Sequence, residues 1–332
     1  MVTIKDIARE CKVSVMTVSR ALNDSKGISA QTQQRVLEVC REKGYVPNFA
    51  ARTLILNKTD MVGLIVPDIA NQYYATVIKG VSSYLERVGY GLVVCNSDRN
   101  KNNEIKYLDF LSQKRVDGII LIATKPKLED YLTLIKRKIP LVLIDNFVKG
   151  LNVSFVENDN YTGGKRIISH MVSQGYRRIG VILGDSKSTA SNDRLKGYLE
   201  VMAENNLAVD PKIVVHSNAT FEEGYQLTAG LIEEKVDAIF AINDTVAMGV
   251  MKYCYANKVK VPEQLGLAGY DDIEQSSMLP IPLTTIHQRK HTLGEKAAQL
   301  LIDEITNPNS PKQIIKLQPE LVVRKSCNES EK

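Results

Sequence analysis

Residues 3–23 read TIKDIARECKVSVMTVSRALN, and the rest of the chain is arranged around them. Ile4, Ile7, Ala8 and Cys11 recur at helical spacing. A polar break follows at Lys12-Val13-Ser14, after which Val15, Val18 and Leu22 resume the spacing. Thr3, with Asp6 three residues on, and Ser14 are suited to cap the two helices. Two short helices joined by about three residues, with Ala8 small enough for a close crossing, describe a helix-turn-helix. The second helix presents Val15, Met16, Thr17, Ser19 and Arg20 outward. Arginine is shaped to read guanine in a major groove, and Thr and Ser suit phosphate oxygens. A small bundle with a merely solvated polar face would use similar residues, so the neighbouring segment has to decide.

That segment is a third amphipathic helix, expected over Ser29–Gly44 with Val36, Leu37, Val39 and Cys40 inward, Lys43 in its last turn and Pro47 beyond. Asn48 to Leu56 is a further helical run, too short to be stable alone in water, where isolated helices under about 12–15 residues are marginal.

The pattern V-T-I-K-D-I-A-R-E-C-x-V-S-x-x-T-V-S-R-A-L-N, followed by G-Y-x-P-N-x-x-A-R-x-L, resembles the lactose/galactose/purine repressor family of bacterial transcription regulators. The resemblance extends over the whole chain. It implies that Val15, Met16 and Arg20 read bases, and that Thr3, Ser14, Thr17, Ser19, Asn23, Thr32 and Tyr45 contact the DNA backbone. It also implies that Leu54 enters the minor groove from a hinge helix, with Ala51 beside it. Lys12 stands where many relatives have Gly, so left-handed strain is expected in the turn.

The composition, 44% hydrophobic and 24% charged, is ordinary for a soluble protein of two or three domains. Residues 1–59 hold ten Lys/Arg against five acids, so the whole net charge of +5 sits there, as on a polyanion-binding head with a neutral body. Five scattered cysteines, odd in number and without a CxxC pair, read as reduced packing residues in a cytoplasmic protein. No signal peptide is expected before Thr3 and no apolar run approaches a membrane span, so neither export nor membrane attachment is expected.

From Met61 the pattern alternates. Strands are expected at Val62–Val66, Leu92–Cys95, Gly118–Ile122 and Leu141–Ile144, with helices near Tyr73–Val88, Asn103–Ser112 and Leu128–Lys136. A second round has strands at Ile179–Leu183, Ile213–His216, Ala238–Ile242 and Leu265–Ala268, with helices near Gly163–Gln174, Arg194–Asn205, Glu222–Glu234 and Thr245–Ala256. Near-continuous apolar strands of this kind belong to parallel sheets covered on both faces. The stretches Met61–Asp68 (MVGLIVPD) and Arg178–Asp185 (RIGVILGD) echo each other, each opening a doubly wound unit. Thr284–Arg324 is expected to return to the first half through a helix at Thr292–Thr306. The expected fold class is therefore α/β. A helix-turn-helix head (1–46) and a hinge helix with linker (47–60) precede a body (61–332) of two doubly wound lobes, which the resemblance makes periplasmic-binding-protein-like. Lobe one is expected at about 61–158 and 288–316, lobe two at about 159–287 and 317–326. Such folds bind ligands at the carboxyl ends of strands.

Candidates for that site follow strands: Asn71, Tyr73, Tyr74, Asp145, Asn146, Asn192, Arg194, Phe221, Asn243, Asp271 and Gln288. Taken singly, most are equally good helix caps or loop residues, Asn243 and Asp271 in particular. Jointly, acids, amides, an arginine and aromatic faces suit a neutral polyhydroxyl ligand, and the resemblance to ribose-type binding domains places the ligand on these positions. Asn146 departs from the arginine of ribose binders. With no Trp in the chain, Tyr or Phe must do any stacking. His287 and His291 stand four apart without a third ligand, so no metal is expected. Gly163-Gly164-Lys165 lacks the phosphate-loop pattern, no nucleophile elbow is present, and Ser186–Asn192 reads as a cleft-edge loop. The chain is thus expected to be a non-enzymatic repressor that needs no cofactor. It would act as a homodimer on double-stranded operator DNA under control of a sugar. The alternatives are a catabolite-control-type regulator with a phosphoprotein corepressor and, further off, a solute-binding module. The short polar tail, Ser326–Lys332, lacks leucine heptads and favours a dimer over a tetramer.

Overall fold

A computed structural model describes residues 2–22, 27–45, 58–123, 128–131, 134, 137–148 and 150–327. Asn23, Ala51, Leu54 and the expected hinge helix at Asn48–Leu56 lie outside the described residues. The chain forms two compact units, Met1–Thr59 and Asp60–Lys332.

The first unit consists of α1 (Ile4–Cys11), α2 (Val15–Leu22) and α3 (Ala30–Glu42). Thr3 and Asp6 close a reciprocal capping box: the Thr3 amide donates to Asp6 Oδ2 at 2.9 Å, and the Asp6 amide donates to Thr3 Oγ1 at 3.4 Å. Ser14 Oγ accepts from the Thr17 amide at 3.0 Å and Ser29 Oγ from the Thr32 amide at 3.2 Å. Ile7, Ala8, Cys11, Val18, Ala21, Val36 and Cys40 form one small core, with Val39 and Tyr45 packed against it. Leu37, expected inward, is only half-buried and stands outside that core, because Val36 and Cys40 define the inward line of α3. Lys12 caps α1 at φ 55°, ψ 41°, the left-handed turn its sequence position implied.

The second unit contains β1 (Met61–Val66), β2 (Gly91–Asn96), β3 (Gly118–Leu121), β4 (Leu141–Ile144), β5 (Ser154–Asn158), β6 (Ile179–Leu183), β7 (Val214–His216), β8 (Ala238–Ala241), β9 (Gly266–Ala268), β10 (Thr285–His287), β11 (Ile314–Leu317) and β12 (Glu320–Val322). Its helices are α4 (Gln72–Arg87), α5 (Lys101–Gln113), α6 (Asn160–Ser173), α7 (Thr189–Glu204), α8 (Phe221–Glu233), α9 (Asp244–Ala256), α10 (Glu274–Met278) and α11 (Lys290–Thr306). One parallel sheet runs β11-β5-β4-β3-β1-β2, a second runs β7-β6-β8-β9, and β10 pairs antiparallel with β12. Each parallel sheet with its flanking helices makes one lobe.

The central strands of the first sheet are buried on both faces. Val62, Leu64, Ile120, Val142 and Val156 face a core shared with α4 and α11, and Ile65, Ile119, Leu121, Leu141 and Phe155 face one shared with α5. The echoing stretches fall on β1 and β6, and α11 and β11 return the chain to the first sheet as expected. Three helix pairs cross at glycines. A β-carbon on Gly80 would stand 2.1 Å from the His291 carbonyl oxygen, one on Gly197 2.6 Å from that of Tyr161, and one on Gly249 2.1 Å from that of Phe221.

Several sequence boundaries move. Of the helix expected at Leu128–Lys136, the described residues show a 3-10 turn at Leu128–Tyr131 and an α-helical Leu134. Ser188 caps α7 by accepting from the Ser191 amide, so the helix starts at Thr189 and most of the supposed loop Ser186–Asn192 is helical. β5 is an additional strand, hidden in the sequence by Ser154, Glu157 and Asn158.

Lys12→Gly should relieve about 1–2 kcal/mol of left-handed strain against roughly 0.5–1 kcal/mol of added chain entropy. Amide hydrogen exchange at Ile7 and Val18 in the full chain should therefore slow by about twofold; faster exchange would contradict the strain.

Candidate functional site

The carboxyl ends of β1, β3 and β4 in one lobe and of β6, β8 and β9 in the other converge on a cavity of about 170 Å³. Asn71, Tyr73, Tyr74, Asp145, Asn146, Arg194, Asn243, Asp271 and Gln288 all line it. Two expected residues do not. Phe221 opens α8 on a neighbouring groove with Asp68, Gln72 and Thr245, because the Thr220 cap directs the first turn outward. Asn192 is carried to the outer face of α7, where its amide donates to the Ser186 carbonyl oxygen at 2.9 Å. The cavity also takes in Arg99, Asp185 and Asn218, which sequence reading missed, and Ser188 and Ser191 from the stretch read as a cleft-edge loop. Asp185 and Asn218 follow β6 and β7, and Asp185 closes the echoed stretch, so strand-end position was the available signal.

The site is built on buried charge. Asp145 has φ 62°, which turns its carboxylate inward at the end of β4. Burial raises its pKa, while the Tyr73 hydroxyl, which donates to Oδ2, and then Arg194 pull it down. The same burial, reinforced by the Asp145 charge, pushes the Tyr73 hydroxyl well above its ordinary value. Asp145 Oδ1 has no protein partner. In the other lobe, Asp271 has φ 119°, and the Gln288 amide donates to its Oδ1 at 2.5 Å. Gln288 Oε1 is buried without a partner. Desolvation raises Asp271 to about 7, opposed chiefly by Arg194. Asp271 is therefore not the helix cap its position suggested: Ile273 precedes α10, and Asp271 forms a bridge with His287 instead.

Arg194 is fixed on three sides. Its guanidinium lies 3.6 Å from the Tyr270 ring centroid, and it donates to Asn160 Oδ1 at 2.9 Å and to the Ile242 carbonyl oxygen at 2.5 Å. Asn243 and Asn71 do serve as caps, accepting from the Val246 and Tyr73 amides at 2.8 and 2.9 Å. Behind Asp271, the buried Lys290 ammonium donates to the backbone carbonyl oxygens of Asp271 and Asp272. Asp272 is half-buried, which raises its pKa, yet bonds from His287 and Arg324 hold it down at about 2. His287 is thus committed to Asp272 and His291 pairs with Glu295, so the two histidines do not share a site. Among the described residues no cluster of three or more His, Cys, Asp or Glu could hold a metal ion, and all five cysteines are free and buried. Carboxylate and amide acceptors facing a fixed arginine suit adjacent hydroxyl groups, which donate and accept at once. At this size the cavity takes a small ligand, since drug-sized ones occupy about 300–1,000 Å³.

In the first unit, Val15 and Met16 on α2 are 40% and 64% exposed, and Arg20 is exposed beside them. Thr3, Ser14, Thr17, Ser19, Thr32 and Tyr45 are exposed or half-buried.

Residues 3–48 match the profile of bacterial regulatory proteins of the lacI family, and residues 168–327 match that of the periplasmic binding protein-like domain. The chain is 33% identical to the HTH-type transcriptional repressor PurR of Histophilus somni (strain 2336) over 330 residues, 98% of this chain and 99% of that protein. It resembles the transcriptional regulator CelR in its cellobiose complex, with a TM-score of 0.75 and 28% identity over 98% of this chain and 100% of that one. The lac repressor dimer bound to operator and the anti-inducer ONPF shares the fold, with a TM-score of 0.87 and 24% identity over 98% and 99% of the two chains.

Because Asp271 is held at about 7 in the folded chain against an ordinary 3.8, the folded state binds the extra proton between those values. Stability from this group is full below about pH 4 and is lost as the pH rises towards 7. Asp271→Asn should therefore melt progressively higher than the native chain as the buffer moves from pH 5 to pH 8, by a few degrees. A constant difference between the two chains would show that the carboxyl ionises unhindered.

Proposed function

Since the chain belongs to the lacI family of bacterial regulatory proteins and is a DNA-binding transcription regulator, we propose that a small neutral sugar held in the cavity controls its affinity for operator DNA. The observation that carries the sugar reading is the pair of buried acceptors without protein partners, Asp145 Oδ1 and Gln288 Oε1, on the wall of a cavity that Arg194 also lines. Such acceptors call for hydroxyl donors, and the relative solved with cellobiose supports a carbohydrate. Asp145, Asp271, Arg194, Gln288 and Asn243 contact the ligand in this reading, with Tyr73 and Tyr74 offering ring faces.

For DNA, Val15, Met16 and Arg20 read base edges in the major groove. Thr3, Ser14, Thr17, Ser19, Asn23, Thr32 and Tyr45 hold the backbone, and Leu54 with Ala51 acts from the hinge. The exposure of Val15, Met16 and Arg20 on a helix whose other face buries Val18 and Ala21 supports this. Two heads on a homodimer match a pseudo-palindromic operator. We read the chain as a head over 1–46, a hinge over 47–60 and an effector body over 61–332. The two lobes of the body divide near 158 and 288, and its last strands divide between them near 317. Whichever sign the effector has, coupling is reciprocal: a sugar that weakens operator binding is itself bound less tightly on DNA.

Palindromic sites selected from a randomised DNA pool, followed by gel retardation with and without a sugar panel, test the reading. Retardation should fall steeply with salt and shift with one sugar. Arg20→Ala should cost about 1–3 kcal/mol on the selected site and leave the sugar-induced thermal shift intact. Native-level affinity of Arg20→Ala for the selected site, with its preference over random DNA intact, would remove Arg20 from base reading.

A further inference from the structure

Asn146 lines the cavity, yet both ends of its amide are engaged by protein. Its Nδ2 donates to the Ala123 carbonyl oxygen at 2.8 Å within its own lobe. Its Oδ1 accepts from Ser188 Oγ at 3.0 Å on the opposite lobe. The next residues along both segments also meet: the Phe147 amide donates to Thr189 Oγ1 at 3.1 Å, and Thr189 Oγ1 donates to the Asp145 carbonyl oxygen at 3.3 Å. Asn146 and Ser188 therefore face the inner cavity, while Phe147 and Thr189 face an outer groove of about 630 Å³. The wall between the two spaces is one residue thick on each lobe and is joined by hydrogen bonds.

The outer groove has its own chemistry. Phe147, 42% exposed, stands edge-to-face with Phe155 at 5.8 Å between ring centroids. Glu157, Asn192 and Asp193 line the groove beside these rings, Glu157 paired with Lys316 at 3.0 Å and Asp193 with Lys196 at 2.8 Å, and Leu195, Leu199 and Ile314 add apolar lining. An aromatic face bordered by carboxylates and an amide is the surface a pyranose ring packs on, with its apolar side to the ring and its hydroxyls to the acceptors.

We propose that Asn146, with Ser188 and Thr189, is a length filter for the effector: it confines the bound sugar to one ring and closes off an outer groove fitted to a second. This rests on the carbohydrate reading above. The Asn146 side chain is short enough to lie in the wall, and it spends its donor and acceptor on the two lobes instead of on the ligand.

Calorimetric titration of the full chain with a panel of pentoses and hexoses, and with disaccharides that contain them, tests the filter. The native chain should bind a monosaccharide and take its disaccharide at least roughly a hundredfold more weakly. Asn146→Gly should narrow that ratio by about tenfold or more. Thr189→Ala, which thins the wall from the opposite lobe, should shift the ratio the same way, and it decides alone if Asn146→Gly loses its cooperative melt. A native chain that takes both lengths equally, or an unchanged ratio in a variant that melts cooperatively, overturns the filter and leaves the carbohydrate reading standing. A native chain that binds no sugar of either length removes that reading and the filter with it.

Discussion

A parallel strand must be followed by a crossover that returns the chain to the same end of the sheet, so all the carboxyl ends of such a sheet lie along one edge. Everything functional in the larger unit depends on that constraint being met twice. Two sheets, each with its strand ends gathered on one side, face each other across the cavity, and three crossings join them: after β5, after β10 and between β11 and β12. No residue of the site is far from a strand end or a helix cap. Polar side chains are therefore placed by backbone geometry, and the chain can vary them without disturbing the cores beneath.

The second constraint is desolvation. Asp145, Asp271 and Arg194 are all buried, and the Arg194 guanidinium offsets part of what desolvation does to the two carboxyl groups. Arg194 lowers both carboxylates, stacks on Tyr270 and is itself held by Asn160 and a backbone carbonyl. The two aspartates sit in unusual backbone conformations, and Lys290 ties the carbonyl oxygens behind Asp271 to the start of α11. The part of the site that would feel a ligand is therefore continuous with the strands that cross between lobes. A change in the charge or bonding of Asp271 bears first on the crossing from β10 to α11, through His287 and Lys290.

Much of this was legible in the sequence. The capping box, the left-handed Lys12, the echo between β1 and β6 and the return of α11 all rest on short-range patterns that packing reinforces. So does the rule of looking after each strand: nine expected residues meet in one cavity. Misplacements came where a competing local signal won. Ser188 starts α7 earlier than the apolar spacing suggests, which rotates Asn192 out of the cavity. The Thr220 cap turns Phe221 towards the adjoining groove. β5 escaped notice because Glu157 pairs with Lys316 on the neighbouring strand, a partner far along the chain that no local pattern reveals. The role of Asn146 was equally hidden, since its bonds join residues more than twenty positions away.

The glycine crossings have a mechanical meaning. Where one main chain rests on another without an intervening side chain, no rotamer change can absorb a push, as it can where flexible side chains meet. With α4 locked to α11, α6 to α7 and α8 to α9 in this manner, each lobe behaves as a stiff plate rather than a cushion. A plate turned slightly at its pivot sweeps its far rim through a wider arc, so small molecular shifts at the crossing strands become long strokes at the ends of the lobes.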